Sequence, residues 1–166
     1  MENVTCADQL ASDELILKKY DLYKNMLFQI AVSYLGNKHD CEDIIQEAFI
    51  RLCYHAPDFE HEEHEKRWLV RVAINLCKNH VRSFWHRMKV DGDDALEQRF
   101  CLEEEKTVMS DIVRLPGKYK TVILLYYIVG YKISEIAQTL ELSESAVKMR
   151  LKRGRELLRI ELEGEK

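Results

Sequence analysis

The chain has 166 residues, of which 46% are hydrophobic and 33% are charged, and its formal net charge is −4 at pH 7. That length allows one ordinary domain or two small ones, and six glycines and two prolines are too few turn residues for a many-stranded sheet protein. We therefore expect an all-α protein.

The five cysteines are scattered and never spaced as CxxC, so neither a disulfide framework nor a metal site is expected. No apolar run approaches the roughly 18 residues that a membrane-spanning helix needs, and the N-terminus lacks the apolar segment of a secretion signal. These absences predict a cytoplasmic protein with no membrane insertion of its own.

Apolar residues at helical spacing predict the first two helices. Ser12 is expected to cap the first helix, which Gly36 ends. Its inward residues are predicted to be Leu15, Tyr23, Leu27, Ile30, Ala31 and Tyr34. Asp40 begins a second helix that ends before Pro57, and the apolar stripe of this helix leaves Glu42, Asp43, Gln46 and Glu47 on another face.

A third helix is predicted from Lys66, with apolar residues on one side, basic residues on the other, and Trp68 in the core. The acidic segment that follows has few apolar residues, which is typical of a linker. We therefore predict an N-terminal helical domain over residues 1–89, a flexible acidic linker over 90–107, and a C-terminal domain over 108–166.

In the C-terminal domain, Leu115-Pro116 is predicted to open a helix that Gly130 closes, with Val122, Ile123, Leu125 and Tyr126 pointing inward. Residues 133–140 form a second short helix, and after a tight turn Ser143 caps the last one. Two short helices joined in this way are a helix-turn-helix. The buried side of the last helix is predicted to carry Val147, Leu151, Gly154 and Leu158.

Charge is sorted into blocks along the chain. Residues 40–65 hold nine acids and one base, whereas residues 66–89 hold seven bases and no acid. Residues 90–106 hold seven acids against two bases, and residues 107–160 hold ten bases against five acids. Clustered cations attract nucleic acid even when the whole protein is acidic. The two basic blocks predict two nucleic-acid contacts, with solvated helix faces as the alternative.

The second helix of a helix-turn-helix enters the major groove with its N-terminal half. With Val147 and Leu151 buried, helical geometry turns the polar side chains at the start of the last helix outward, and the amides that Ser143 caps can bind a phosphate. The predicted DNA-contacting residues are Ser143, Glu144, Ser145, Lys148, Met149, Lys152 and Arg153, with Arg155 beside them.

Taken in order, these segments resemble the extracytoplasmic-function (ECF) group of bacterial RNA polymerase sigma factors over nearly the whole chain. The helix that holds the clamp helices of the polymerase largest subunit is similar to DCEDIIQEAFIRL (40–52). The segment that opens and reads the minus-10 element is similar to KRWLVRVAINLCKNHVRSFWHR (66–87). The domain that reads the minus-35 element is similar to LPGKYKTVILLYYIVGYKISEIAQTLELSESAVKMRLKRGRELL (115–158).

The resemblance implies a non-catalytic specificity subunit, without cofactor or metal, that directs core polymerase to promoters and opens the strands. Its partners would be core RNA polymerase, through the clamp helices and the flap, promoter DNA and an anti-sigma factor. The implied polymerase-binding residues are Asp40, Glu42, Asp43, Gln46 and Glu47. The implied minus-10 residues are Arg71, Asn75, Lys78, Asn79, His80, Arg82, Trp85 and Arg87, with Asn75 and Asn79 in a loop-like interruption that captures a flipped base. The linker would pass through the polymerase cleft, or serve as a solvated tether.

Three residues depart from the family pattern. Lys132 stands where Ser is usual, so the first helix of the helix-turn-helix lacks its usual cap. Met149 replaces a small polar residue and suggests apolar contact with a thymine methyl. Gly154 replaces Ala and is expected to loosen the last turns at a cost of about 1 kcal/mol.

Other classes of function fit less well. Cys53, His55, His61 and His64 match no metal-ligand spacing, so a polar loop is the simpler interpretation. Motifs that combine a nucleophile, a base and a group orienting the base are absent, which argues against an enzyme. The main alternative is a helix-turn-helix regulator that binds duplex DNA as a dimer without polymerase. A second is a helical adaptor with no salt-dependent affinity for DNA.

Overall fold

The computed structural model describes the backbone of residues 6–91 and 108–163 and the side chains of residues 12–84, 86–87 and 111–159. All regular structure in these ranges is helical, so the all-α prediction is confirmed. The helices, in chain order, are α1 (Cys6–Leu35), α2 (Lys38–Tyr54), α3 (Glu62–Asp91), α4 (Val108–Arg114), α5 (Gly117–Tyr127), α6 (Ile133–Leu140) and α7 (Glu144–Glu163). Within the described ranges, none of them combines the length and apolar character required to cross a bilayer.

Helices α1, α2 and α3 pack on one another and form an N-terminal unit. Leu27 and Ile30 of α1 and Leu69 and Val70 of α3 are completely buried in its core. Burying a side chain of this size stabilises a fold by about 1.5–3 kcal/mol, so these residues fix how the three helices pack.

The first helix differs from its prediction at its N-terminal end. It begins at Cys6, and Ser12 therefore lies inside the helix, because no glycine or proline precedes Ser12 closely enough to break it. Leu15, predicted to point inward, is 53% exposed. The opposite end follows the prediction, since Gly36 follows α1 with a φ of 70°, a conformation that glycine adopts without strain.

Helices α4 to α7 form the C-terminal unit, in which α5 and α6 pack against α7. Its core contains Ile123, Leu125, Ile136 and Val147, each at most 1% exposed. Tyr126 was predicted to point inward but is 39% exposed, because the buried stretch of α5 ends one residue earlier. Helix α4, which was not predicted, has seven residues and packs on α1 as well as on α5 and α7.

The two units touch each other. Helix α1 contacts α4, and α3 contacts α6. The hydroxyl of Tyr34 in α1 hydrogen-bonds the hydroxyl of Thr121 in α5, and both residues are buried. The C-terminal unit is therefore held against a defined face of the N-terminal unit.

Candidate nucleic-acid and polymerase interface

Helix α2 presents an acidic face to solvent. Its apolar residues, among them Ile45 and Phe49, are buried against the rest of the N-terminal unit. Its exposed or half-exposed polar residues include Glu42, Asp43, Gln46 and Glu47, and the exposed Lys38 and His39 lie 3.6 Å and 3.9 Å from the carboxylates of Glu42 and Asp43. Glu47 accepts a hydrogen bond from Arg51 Nε at 2.8 Å, in a solvent-exposed pair one helical turn apart. Such pairs contribute little stability, so the acidic face is available to a partner.

Asp40 is engaged within the protein. Asn37 caps α2, and its Oδ1 accepts the N–H of Asp40 at 2.9 Å while its Nδ2 donates to Asp40 Oδ2 at 2.8 Å. The same carboxylate oxygen lies 3.2 Å from Nε2 of His80 on α3. Only 15% of the Asp40 side chain is exposed. Asp40 and His80, predicted to contact polymerase and DNA respectively, therefore join α2 to α3 in this structure.

Helix α3 is continuous, and the predicted loop-like interruption at Asn75 and Asn79 is wrong. Both asparagines lie inside a helix that runs from Glu62 to Asp91. Leu76 and Cys77, which stand between them, are buried and keep the helical spacing of the core residues. Neither glycine nor proline is present in this segment to end the helix.

Most of the predicted minus-10 residues lie on the solvent side of α3. Those exposed are Asn75, Lys78, Asn79, Arg82 and Arg87. Arg82 Nη2 donates to Asn79 Oδ1 at 3.1 Å, so one guanidinium and one amide are held together. Trp85 belongs to the helix, but its side chain lies outside the described residues. The exposed set can hold a phosphate backbone and present amides to bases.

Arg71 is the exception among the cationic residues of this set. Its Nε donates to the carbonyl oxygen of Thr139 at 2.9 Å, and its Nη2 lies 3.0 Å from Glu141 Oε1. Thr139 belongs to α6, and Glu141 follows it. The structure thus places a predicted DNA contact against the C-terminal unit.

An aromatic cluster borders the start of α3. Trp68 is half-buried and packs at the core edge, with its ring centroid 5.7 Å from that of Phe59. The ring centroid of His64 lies 5.4 Å from that of Phe59 and 6.1 Å from that of His61. In the part of the chain that the structure describes, no three His, Cys, Asp or Glu residues are grouped so as to hold a metal ion.

Helices α6 and α7 form the predicted helix-turn-helix. The bounds of α6 coincide with the prediction, and the hydroxyl of Ser143 accepts the N–H of Ala146 at 3.2 Å at the start of α7. Val147 and Leu151 are buried on the inner side of α7. All seven predicted contact residues are exposed: Ser143, Glu144, Ser145, Lys148, Met149, Lys152 and Arg153. The exposed face carries the cations and the apolar Met149 side chain, which is 72% exposed.

Glu135 stabilises the start of α6, a role that was not predicted from the sequence. Lys132 occupies the cap position, and its backbone N–H donates to Glu135 Oε2 at 2.7 Å. A glutamate three residues after the cap is the reciprocal half of a capping box, a signal that the sequence contains. Glu135 therefore supplies part of the stabilisation expected from the absent serine.

The chain has two helical units, and each carries an exposed basic helix, which is typical of a DNA-binding protein with two contact surfaces. The acidic face of α2 adds a surface suited to a protein partner. Two family models match the chain. The one described as Sigma-70 region 2 covers residues 20–87, and the one described as Sigma-70, region 4 covers residues 109–158.

The relatives and solved structures agree with these matches. The ECF RNA polymerase sigma factor SigW of Bacillus subtilis (strain 168) is 32% identical, over 98% of this chain and 94% of its own length. The structure of CnrH in complex with the cytosolic domain of CnrY is similar at 25% identity and a TM-score of 0.72, over 96% of each chain. The fold is shared with RpoE of Bartonella quintana, at 18% identity and a TM-score of 0.72, over 90% of this chain and 97% of RpoE.

The chain belongs to the ECF family of RNA polymerase sigma factors. Its function is accordingly that of a sigma factor, which directs RNA polymerase to promoters.

Proposed function

We propose that the chain acts in the cytoplasm as a non-catalytic specificity subunit in which three surfaces divide the work. The acidic face of α2 docks on the clamp helices of core polymerase. The exposed cations and amides of α3 hold the separated strand of the minus-10 element, and the exposed start of α7 reads the minus-35 duplex. An anti-sigma factor is the proposed inhibitor of the free protein, and the flap is a further proposed contact on polymerase.

The observation that supports this division most strongly is the order of exposed charge on the helices. Glu42 and Asp43 are exposed on α2, the next helix exposes Lys78 and Arg82, and Lys152 is exposed on the recognition helix. An acidic face cannot bind phosphates, because like charges repel, so it needs a different partner from the two basic faces. A regulator that binds only duplex DNA would have no use for that acidic face.

Charge reversal tests the docking surface. The double variant Asp43→Lys and Glu47→Lys should weaken binding to core polymerase by roughly tenfold or more, because it replaces two attractive charges with repulsive ones. Both side chains are exposed or half-exposed, so the thermal midpoint should change little. The matched control is Asp13→Lys with Glu14→Lys, two exposed acids in the N-terminal half of α1. Equal affinity of both double variants for core polymerase would contradict the proposal.

A second measurement separates a sigma factor from a duplex-binding regulator. The chain alone should shift duplex promoter DNA weakly, whereas the chain with core polymerase should bind tightly and open the strands. Permanganate reactivity of unpaired thymines reports the opening. Tight duplex binding without polymerase, and no opening with it, would favour the regulator.

A further inference from the structure

One side of helix α7 faces directly away from the core of the C-terminal unit. Val147, Leu151 and Gly154 are buried on its inner side. Because an α-helix completes a turn in about 3.6 residues, Met149 stands opposite these three residues, and Ser145 lies one turn before it. A duplex that receives α7 in its major groove therefore meets Met149 at the centre of the exposed face.

Met149 is an apolar side chain on an otherwise polar face, and 72% of it is exposed. In the described part of the C-terminal unit, the other exposed large hydrophobic residues are Tyr126 and Tyr127. These two tyrosines lie at the end of α5, with their ring centroids 4.9 Å apart. One exposed hydrophobic residue is ordinary on a protein surface, but this one lies where the edges of bases would be met.

Two polar side chains beside Met149 have partners within the protein. The hydroxyl of Ser145 lies 3.2 Å from the hydroxyl of Ser143, the residue that caps α7. On the other flank, Arg153 Nη1 donates to Glu156 Oε2 at 3.1 Å. Their capacity for hydrogen bonds is thus partly used, and the thioether of Met149 is a weak acceptor and no donor. The centre of the face is therefore suited to an apolar group on a base.

The major groove offers one apolar group of this kind, the C5-methyl group of thymine, beside the hydrogen-bond donors and acceptors of all four bases. A methionine that faced a donor or an acceptor would leave that group without water or a partner, which weakens binding. A methionine that faces a methyl group removes apolar surface from water instead.

The cations near Met149 distinguish thymine from 5-methylcytosine, which carries the same methyl group. Lys148 and Lys152 are both exposed on one flank of Met149. Beside its methyl group, thymine presents the O4 acceptor, whereas cytosine presents the N4 amino group, a donor. Positive charge favours the acceptor, so the surroundings of Met149 suit thymine better.

We propose that Met149 is a specificity-determining residue: its side chain packs on the C5-methyl group of a thymine, and the chain selects minus-35 elements with a thymine at that position. The inference rests on the proposed reading of the minus-35 duplex by α7. The preference at this base pair comes from an apolar contact and not from a hydrogen bond. A polar side chain of the same length at position 149 therefore loses it.

Replacement of thymine by deoxyuridine tests the methyl contact. The chain in complex with core polymerase first selects its preferred minus-35 element from a randomised duplex library. Each thymine of that element is then replaced by deoxyuridine, which lacks the C5-methyl group and keeps every hydrogen-bonding group. One replacement should weaken binding roughly fourfold, the effect of returning one methyl group to water. At the same position, 5-methylcytosine should bind more tightly than cytosine and less tightly than thymine.

Variants at position 149 connect the effect to this residue. Met149→Gln keeps the length and the helix propensity of the side chain and should bind thymine and deoxyuridine equally, whereas Met149→Leu should keep the preference. The matched control is Leu22→Gln on α1, which removes another exposed apolar side chain and should also keep the preference. Each preference is a ratio measured with one protein, so a change in stability or in polymerase binding cancels.

Three results would overturn the inference: a selected element without thymine, equal binding of every deoxyuridine-substituted element by the unmodified chain, or the same fourfold loss in Met149→Gln. Tighter binding of 5-methylcytosine than of thymine would overturn the choice of thymine. The library separates these failures from failure of the proposed function. If the complex enriches no upstream element, α7 does not read the minus-35 duplex, and both proposals fall. If it enriches an element whose binding is independent of the methyl group, only the role of Met149 falls.

Discussion

Gly154 allows two helices of the C-terminal unit to approach closely. It lies on the buried side of α7, and a Cβ at this position would stand 2.9 Å from Ile123 Cγ1 and 3.2 Å from Ile123 Cδ1 on α5. From its sequence, this glycine was expected to loosen the last turns, but α7 continues to Glu163. Its role is thus to provide space where α7 crosses α5.

Replacing Gly154 by alanine should destabilise the C-terminal unit. Alanine improves helix propensity by about 1 kcal/mol, but the contact with Ile123 forces the core to shift, which typically costs about 1–3 kcal/mol. Urea unfolding followed by circular dichroism should therefore show a lower midpoint. Gly117→Ala is the matched control, because no described atom beyond its chain neighbours and its own helix backbone lies within 4 Å of its Cβ position at the start of α5. That variant should gain up to about 1 kcal/mol, and equal gains at both positions would refute the close crossing.

At the scale of single residues, the exposure of a side chain was easier to predict from the sequence than its hydrogen-bond partner. Helical geometry alone turned Lys148 and Lys152 outward, and both are exposed. The partner of Arg71 lies 68 residues away, and that of His80 lies 40 residues away. Such contacts depend on how helices pack, which a local pattern does not contain. The roles assigned to these residues from the resemblance stay predictions.

At the scale of helices, the sequence predicted the ends of helices correctly where a capping side chain or a glycine fixes the backbone, as at two sites in the C-terminal unit. Gly130 has a φ of 79° where α5 was expected to close, and Ser143 caps α7 as predicted. The local pattern held no signal where the tertiary fold decides, as for α4. Helix α4 is only seven residues long, and short isolated helices are marginal in water, so its packing on α1 holds it rather than its sequence.

Helix α5 contains a buried lysine that sequence periodicity did not single out. Lys120 is 7% exposed, and its Nζ lies 5.1 Å from the ring centroid of Tyr34 on α1. Burial lowers the pKa of Lys120 to about 8, and the nearby Cys77 thiol opposes this shift. A lysine is poorly accommodated in such a place because its charged form loses hydration.

This lysine should make stability depend on pH. Between about pH 8 and the ordinary lysine pKa of 10.5, the unfolded chain binds the Lys120 proton and the folded chain does not. The contribution of Lys120 to the free energy of unfolding therefore rises with pH in that window. Below pH 8 the full cost of burying the charge remains, on the order of 3 kcal/mol. Replacement by Met should remove the cost and stabilise the protein near neutral pH.

Urea unfolding of the unmodified chain and of Lys120→Met, compared at successive pH values, checks this expectation. The advantage of the variant should shrink as pH rises above 8. Comparing the two proteins is necessary because Cys41 and Cys77 act in the opposite direction at higher pH, since burial raises the pKa of each thiol to about 12. Both measurements are made in a Cys77→Ala background, because the Cys77 thiol interacts with Lys120, and the effect of the shared Cys41 cancels in the difference. A difference that stays constant with pH would show that Lys120 is not buried as a charge.

At the scale of the whole molecule, a chain with a net charge of −4 can bind DNA because its acidic and basic residues lie on different faces. Exposed charges interact over about 8–10 Å at physiological ionic strength, so the acidic face of α2 and the basic face of α7 act independently once they are farther apart than this distance. Two associations that both weaken with salt should then respond to different residues.

Salt titrations of two matched variants test that independence. Lys152→Gln should reduce the slope of log affinity against log salt for promoter binding by the holoenzyme by about 0.9, the loss of one phosphate contact, and leave the slope for core polymerase binding unchanged. Asp43→Asn should do the reverse. Each variant removes one exposed charge and alters no described core contact, so a change in folding would not explain the pattern. If either variant changed both slopes equally, the charge would act through the overall field of the protein, and the proposed division between docking and reading surfaces would be lost.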